Sequence, residues 1–260
     1  MTNASAAARH RRAVEEDPDR WLGSTELLDL GDTKVRLRAR SLTQLCKSER
    51  EKALALYGFV KRIPYAWRFR LGLRRPRQVL EAGCGDALDK VGLLIALLRI
   101  VDIPARIRFM QVPSAVLRGL MPPSSPLARP VVEVWLAGKW LATDTYIFDA
   151  AYMAAARHRL REQGWPCGYG IHREGASIWT GMENAFLVGD AMAADQLVPL
   201  PEGLFNDHAA FVASPRFSAM HSQLARAVRW NLMVPAMRRI IRRLREEAMS
   251  GTPSTHRRAS

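Results

Sequence analysis

The run LDKVGLLIALLRI, residues 88–100, constrains the chain more than any other stretch. Its apolar side chains fall on almost every face of a helix, which a helix wetted on one side does not tolerate. It therefore predicts a central, buried helix with Leu94 and Leu97 deep in the core, and the remaining elements must surround it. Ile103-Pro104 ends it, and RIRFMQV (106–112) then alternates charged and apolar residues as a strand does. VVEVWL (131–136), AGK and WLATDTY (140–146) read as strand, turn and strand, a β-hairpin whose turn is flanked by Trp135 and Trp140, placed to pair across it. The proline-rich PPSSPLARP (122–130) before the hairpin predicts no regular structure.

Upstream, Ser48 with Glu51 reads as a capping box for a helix with Ala53, Leu56, Tyr57 and Val60 on its apolar face, stopped at Ile63-Pro64. Downstream, YMAAARHRLREQG after Asp149 reads as a helix stopped by Gly164. The chain to about Pro215 has no placeable elements and is expected to be irregular. A last helix, roughly residues 217–247, is expected to kink near Pro235. It carries an apolar stripe of Met237, Ile240, Ile241, Leu244 and Ala248 among Arg238, Arg239, Arg242, Arg243 and Arg245. Such a helix either packs its stripe on its own domain or lies on a membrane surface or an acidic partner. Truncation after Val234 is expected to leave a folded domain with weaker binding to anions.

Charge widens the field of partners rather than choosing among them. The net charge is +14, and of 39 basic residues six are lysines, leaving 39 − 6 = 33 arginines. A surface of this kind attracts nucleic acid, anionic lipid or acidic polypeptide alike. Cys46, Cys84 and Cys167 are far apart and suggest neither a disulfide framework nor a zinc ribbon. With no signal-like start and no span-length apolar run, the protein is expected to be cytoplasmic. The expected organisation is a disordered segment 1–20, a core 21–150, an extension 151–249 that includes the basic helix, and a disordered tail 250–260.

Four features occur in order: a capped helix ending in IPY, a glycine-containing approach to a buried helix, IPAR after it, and VEVWLAGKW leading to Asp144. Together they resemble the transglutaminase-like superfamily, over about residues 21–146. The resemblance implies an α+β, papain-like core with a central buried helix packed on an antiparallel sheet, here with a helical C-terminal extension. It implies a catalytic cysteine at the N-terminus of the central helix, a histidine base before the hairpin and an aspartate on its second strand that orients the imidazole. Register from Ile103-Pro104-Ala105-Arg106, with Lys90 at a common family position, puts Ala87 in the cysteine slot. Counting back from Glu133 puts Arg129 in the histidine slot, and Asp144 alone keeps its family residue type. The site is thus expected to be degenerate, with Arg129 paired to Asp144, and the groove is expected to bind a peptide or another ligand.

Other chemistries start from Cys84, three residues before Ala87, which a shifted helix start would present as a nucleophile in an active cysteine enzyme. Its base would come from the C-terminal half, since His10, His158, His172, His208, His221 and His256 all lie outside the family slot. Cys167 and His172 form a possible local pair. VLEAGCGDA (79–87) also resembles the first motif of S-adenosylmethionine-dependent methyltransferases, but Gln111 stands where the ribose-binding acid belongs and the glycine spacing is incomplete. No cofactor or metal is implied.

Overall fold

The computed structural model describes residues 16–121, 127–189, 198–214 and 223–250. Of the segments expected to be disordered, 1–20 and 250–260, residues 1–15 and 251–260 fall outside them, whereas Asp19 and Arg20 open a short 3-10 helix, Asp19–Leu22, that buries Trp21, and Ser250 ends the last helix. In chain order the elements are α1 (Thr33–Thr43), α2 (Glu49–Arg62), α3 (Pro76–Ala82), α4 (Ala87–Ile100), β1 (Ala105–Val112), β2 (Leu127–Leu136), β3 (Lys139–Thr143), α5 (Ala150–Glu162), β4 (Cys167–Gly168), β5 (Ile171–His172), β6 (Val198–Phe205), α6 (His208–Val212) and α7 (Gln223–Ser250). This is the α+β architecture expected, with α4 at its centre. Val91 and every residue from Leu93 to Leu98 are buried, and α4 lies against α1, α2 and α3 as well as β1 and β2.

The antiparallel sheet has the order β3-β2-β1-β6. The hairpin register sets Trp135 opposite Trp140, their rings edge to face at 5.3 Å. Its two-residue turn places both Ala137 (φ 51°) and Gly138 (φ 77°) in the left-handed region, the geometry that matches strand twist. On the next strand pair Arg106 stands opposite Glu133, bonds to its carboxylate and stacks over Trp140 at 3.8 Å. The alternation that marked β1 as a strand therefore continues into paired, buried charge rather than into solvent.

Several boundaries differ from the sequence expectation. Within the proline-rich stretch, Leu127–Pro130 is extended and belongs to β2, with Pro130 opposite Phe109. The region after Gly164 contains β6, which joins the edge of the sheet beside β1. Its sequence, VPLPEGLF, carries two prolines and a glycine, which conceal a strand; an edge position tolerates proline because one row of backbone groups needs no partner. Ser48 caps α2 by accepting from Glu51 N, but the Glu51 carboxylate reaches Lys47 N instead of closing the box. The last helix is described from Gln223 and continues on both sides of Pro235.

The C-terminal helix is not an appendage. Val234, Met237, Ile241 and Leu244 are buried in the same apolar cluster as α4, and α7 packs on α5. Two of its arginines also bind inward, Arg238 Nε to Trp67 O at 2.9 Å and Arg245 Nη2 to Asp149 at 2.6 Å. A domain cut after Val234 would lose this part of its core, contrary to the expectation above.

Candidate functional site

The start of α4 is fixed by two carboxylates acting on each other's backbone. Asp86 Oδ1 accepts from Leu88 N (2.8 Å) and Asp89 N (3.2 Å), while Asp89 Oδ2 accepts from Asp86 N (3.0 Å). This reciprocal cap satisfies amides the first turn would otherwise leave open. Arg70 pairs with Asp86 at 3.0 Å and Arg74 pairs with Asp89, so the caps are neutralised from outside the helix. Burial, with Asp89 beside it, pushes Asp86 up to about 7. The helix start is therefore not shifted towards Cys84: Ala87 is its first residue, and Cys84 lies in the short link between α3 and the cap.

One turn into α4, Lys90 is completely buried and its ammonium reaches three backbone carbonyls, Ile63 O (2.8 Å), Ile147 O (2.9 Å) and Lys61 O (3.4 Å). Three acceptors match the three N–H groups of a lysine ammonium. Burial drives its pKa well below the ordinary lysine value, and Asp149 opposes that shift. Lys61 beside it donates to Thr145 O and Phe148 O, and burial lowers it to about 8. Asp149 caps α5 through Tyr152 N, accepts from Tyr65 N and takes the Arg245 guanidinium. The cage of Lys90 needs carbonyls from two distant segments and has no local signature in the sequence.

In the slot assigned to the imidazole, Arg129 is buried against Asp144, with Nη1 to Oδ2 at 3.0 Å and Nη2 to Gly170 O at 2.6 Å. The second carboxylate oxygen accepts from Leu187 N at 2.8 Å. Burial pushes the Asp144 carboxyl up, opposed by Arg129 and the Leu187 amide. Asp144 follows the last residue of β3 rather than lying on the strand, as expected from the family pattern.

Cys84 is half-buried at the wall of a cleft of about 360 Å³ lined also by Tyr65, Trp67, Arg68, Ile241 and Arg245. Arg68 Nη1 lies 3.4 Å from its sulfur. None of the described histidines has a hydrogen bond to Cys84. His158 is on α5 beside Glu162, and His172 Nδ1 accepts from Glu174 N. His208 is buried against Gly92, with no hydrogen-bond partner on either nitrogen among the described residues. His10, His221 and His256 lie outside the described residues. Cys167 and His172 are register partners across β4 and β5, but Cys167 sits in an apolar cluster with Val112, Val131 and Val188, and burial raises its thiol pKa. The methyltransferase reading fails on the fold: Val79–Ala82 lies in helix α3 rather than in a strand, and the sheet is antiparallel.

The fold and the site define an α+β protein organised around the capped start of a buried helix. Residues 36–145 match the family model of the Transglutaminase-like superfamily. No curated protein matches the chain. Among solved structures, a candidate cysteine protease from Cytophaga hutchinsonii is similar at 17% identity and a TM-score of 0.46, over 74% of this chain and 48% of that one. A candidate protease from Parabacteroides distasonis is similar at 16% identity and a TM-score of 0.34, over 49% of this chain and 25% of that one. The chain thus spans less than half the length of either.

Proposed function

We propose that this transglutaminase-like domain has a degenerate acyl-transfer site, with Ala87 and Arg129 in the cysteine and histidine slots, and that it binds a peptide or another ligand without turning it over. In this reading residues 21–150 form the family core and 151–249 its extension. The observation that carries it is the buried Arg129–Asp144 pair. A guanidinium stays protonated near neutral pH and cannot serve as a general base, and the methyl group of Ala87 cannot attack a carbonyl. The ligand would lie in the cleft beside Tyr65 and Trp67, where Arg68 favours an acidic group.

The experiment is thiol labelling with an acyl-type electrophile. Wild type should react slowly, and the double change Ala87→Cys with Arg129→His should create a new reactive thiol of low pKa. A second reading, an active cysteine enzyme using Cys84, draws on the half-buried sulfur beside Arg68 at the cleft wall. Fast labelling of wild type that Cys84→Ser abolishes, with a histidine titration in its rate, would replace the degenerate-site reading by this one.

A further inference from the structure

The outer side of α7 is built unlike its buried side. Val228, Leu232, Pro235, Arg239 and Arg242 follow one another at three- and four-residue intervals, so they form one stripe, about 21 Å long at 1.5 Å per residue. Val228 is 50% exposed and Leu232 75%. The loop before α3 is fastened alongside: Asn231 Oδ1 accepts from Arg70 N (3.0 Å) and its Nδ2 donates to Arg70 O (2.9 Å), while Trp230 stacks on Trp67 at 3.8 Å. This clamp presents Phe69, 58% exposed, and Leu71, 95% exposed, beside the helix. Phe69 shares a surface depression with Pro235, Arg238, Arg239 and Arg242.

We infer that this face is a docking surface for an anionic lipid membrane, with Phe69, Leu71, Val228 and Leu232 entering the interface and Arg239 and Arg242 meeting the headgroups. The four apolar side chains are held out by a fixed loop and a helix, and they sit beside cations on a chain of net charge +14. Aliphatic insertion next to arginine is the chemistry of a helix lying on a lipid surface. A nucleic acid would use the arginines but leave Leu71 and Leu232 in water. A second copy of the same face would set Arg239 and Arg242 against their own kind. Among the described residues no helix is long and apolar enough to cross a membrane.

The test is co-sedimentation of the full chain with vesicles of phosphatidylcholine alone or of equal parts phosphatidylcholine and phosphatidylserine. The protein should pellet with the anionic vesicles and not the neutral ones. Arg239→Gln with Arg242→Gln should weaken that binding about tenfold or more, from the surface-potential contribution of two cations. Leu71→Ser with Leu232→Ser should weaken it by at least as much with every charge retained. All four positions are outside the core, and an unchanged thermal unfolding curve separates lost docking from lost fold. Absence of anionic-vesicle binding would overturn the inference. So would binding that the leucine pair does not affect, and in that case a matched titration with a DNA duplex or polyglutamate tells which polyanion the arginines serve.

Discussion

Helices α4 and α7 bury themselves in one apolar cluster by opposite means. α4 is enclosed on nearly all sides, and its polar residues are at its two ends, where Asp86, Asp89, Lys90 and Arg99 bond to backbone or to charge. α7 contributes a narrow stripe and leaves the opposite face wet. The contrast teaches that average apolarity reveals a helix enclosed on all sides, whereas a helix holding on by one stripe can be equally integral while its arginines suggest a detachable arm.

The strongest way to break this view is to remove α7. Truncation after Val234 takes away Met237, Ile241 and Leu244, each worth about 1.5–3 kcal/mol by burial, or roughly 5–9 kcal/mol together. That is comparable with the whole stability of a domain, about 5–15 kcal/mol. The truncated chain should lose its cooperative unfolding transition by circular dichroism; a sharp transition near the wild-type midpoint would make α7 an accessory after all. For α4, Leu97→Ala should cost about 2–5 kcal/mol in urea unfolding, from lost burial and the cavity left behind. A near-neutral change would mean that the centre of the molecule is loosely packed.

A third measurement uses the wall of α4 that faces α6. Gly92 leaves room for His208, since a Cβ there would lie 2.7 Å from the imidazole Cε1. Burial holds His208 down at about 4. The unfolded chain takes up this proton below about 6.5 and the folded chain only below about 4, so His208 lowers stability as pH falls through that window, by up to roughly 3 kcal/mol. Asp86, raised to about 7, acts with the opposite sign between about 4 and 7, because there the folded state holds the extra proton. The prediction is therefore a difference: His208→Leu should unfold less readily than wild type on acidification from pH 6.5 to 4, relative to their gap at pH 7.5. Parallel curves would mean that His208 is protonated as easily folded as unfolded. The smallest effect belongs to the outer face of α7, where Leu232→Ala should change stability by no more than about 0.5 kcal/mol. A larger loss would show that the exposed stripe is also part of the fold.

What the sequence revealed follows the range of the interactions involved. The enclosure of α4, the β2–β3 hairpin and the stop of α2 at Ile63-Pro64 are written in neighbouring residues, and all are present. β6 was hidden because Pro199, Pro201 and Gly203 look like punctuation, and only its pairing with β1 makes it a strand. The Arg129–Asp144 pair follows from the aligned slots, since a buried carboxylate without an imidazole still needs a cation. The Asp86–Asp89 cap could have been found, as aspartate three residues before aspartate at a helix start has a local pattern. The arginines of α7 misled because charge alone does not tell which guanidinium turns inward, as Arg245 does to Asp149.

The cage around Lys90 also bears on how the segments of the fold depend on one another. Its acceptors are 29, 27 and 57 residues away along the chain, at the end of α2 and in the turn after β3. Until both segments have docked on α4, the ammonium remains hydrated, and a partly formed cage would strand a charge in the core. The third acceptor, Ile147 O, lies in the turn that follows the hairpin, so the cage is complete only when α2, α4 and that turn are in place together. Lys90 thus ties three segments to one another, and loosening any one of them would bare the same buried ammonium.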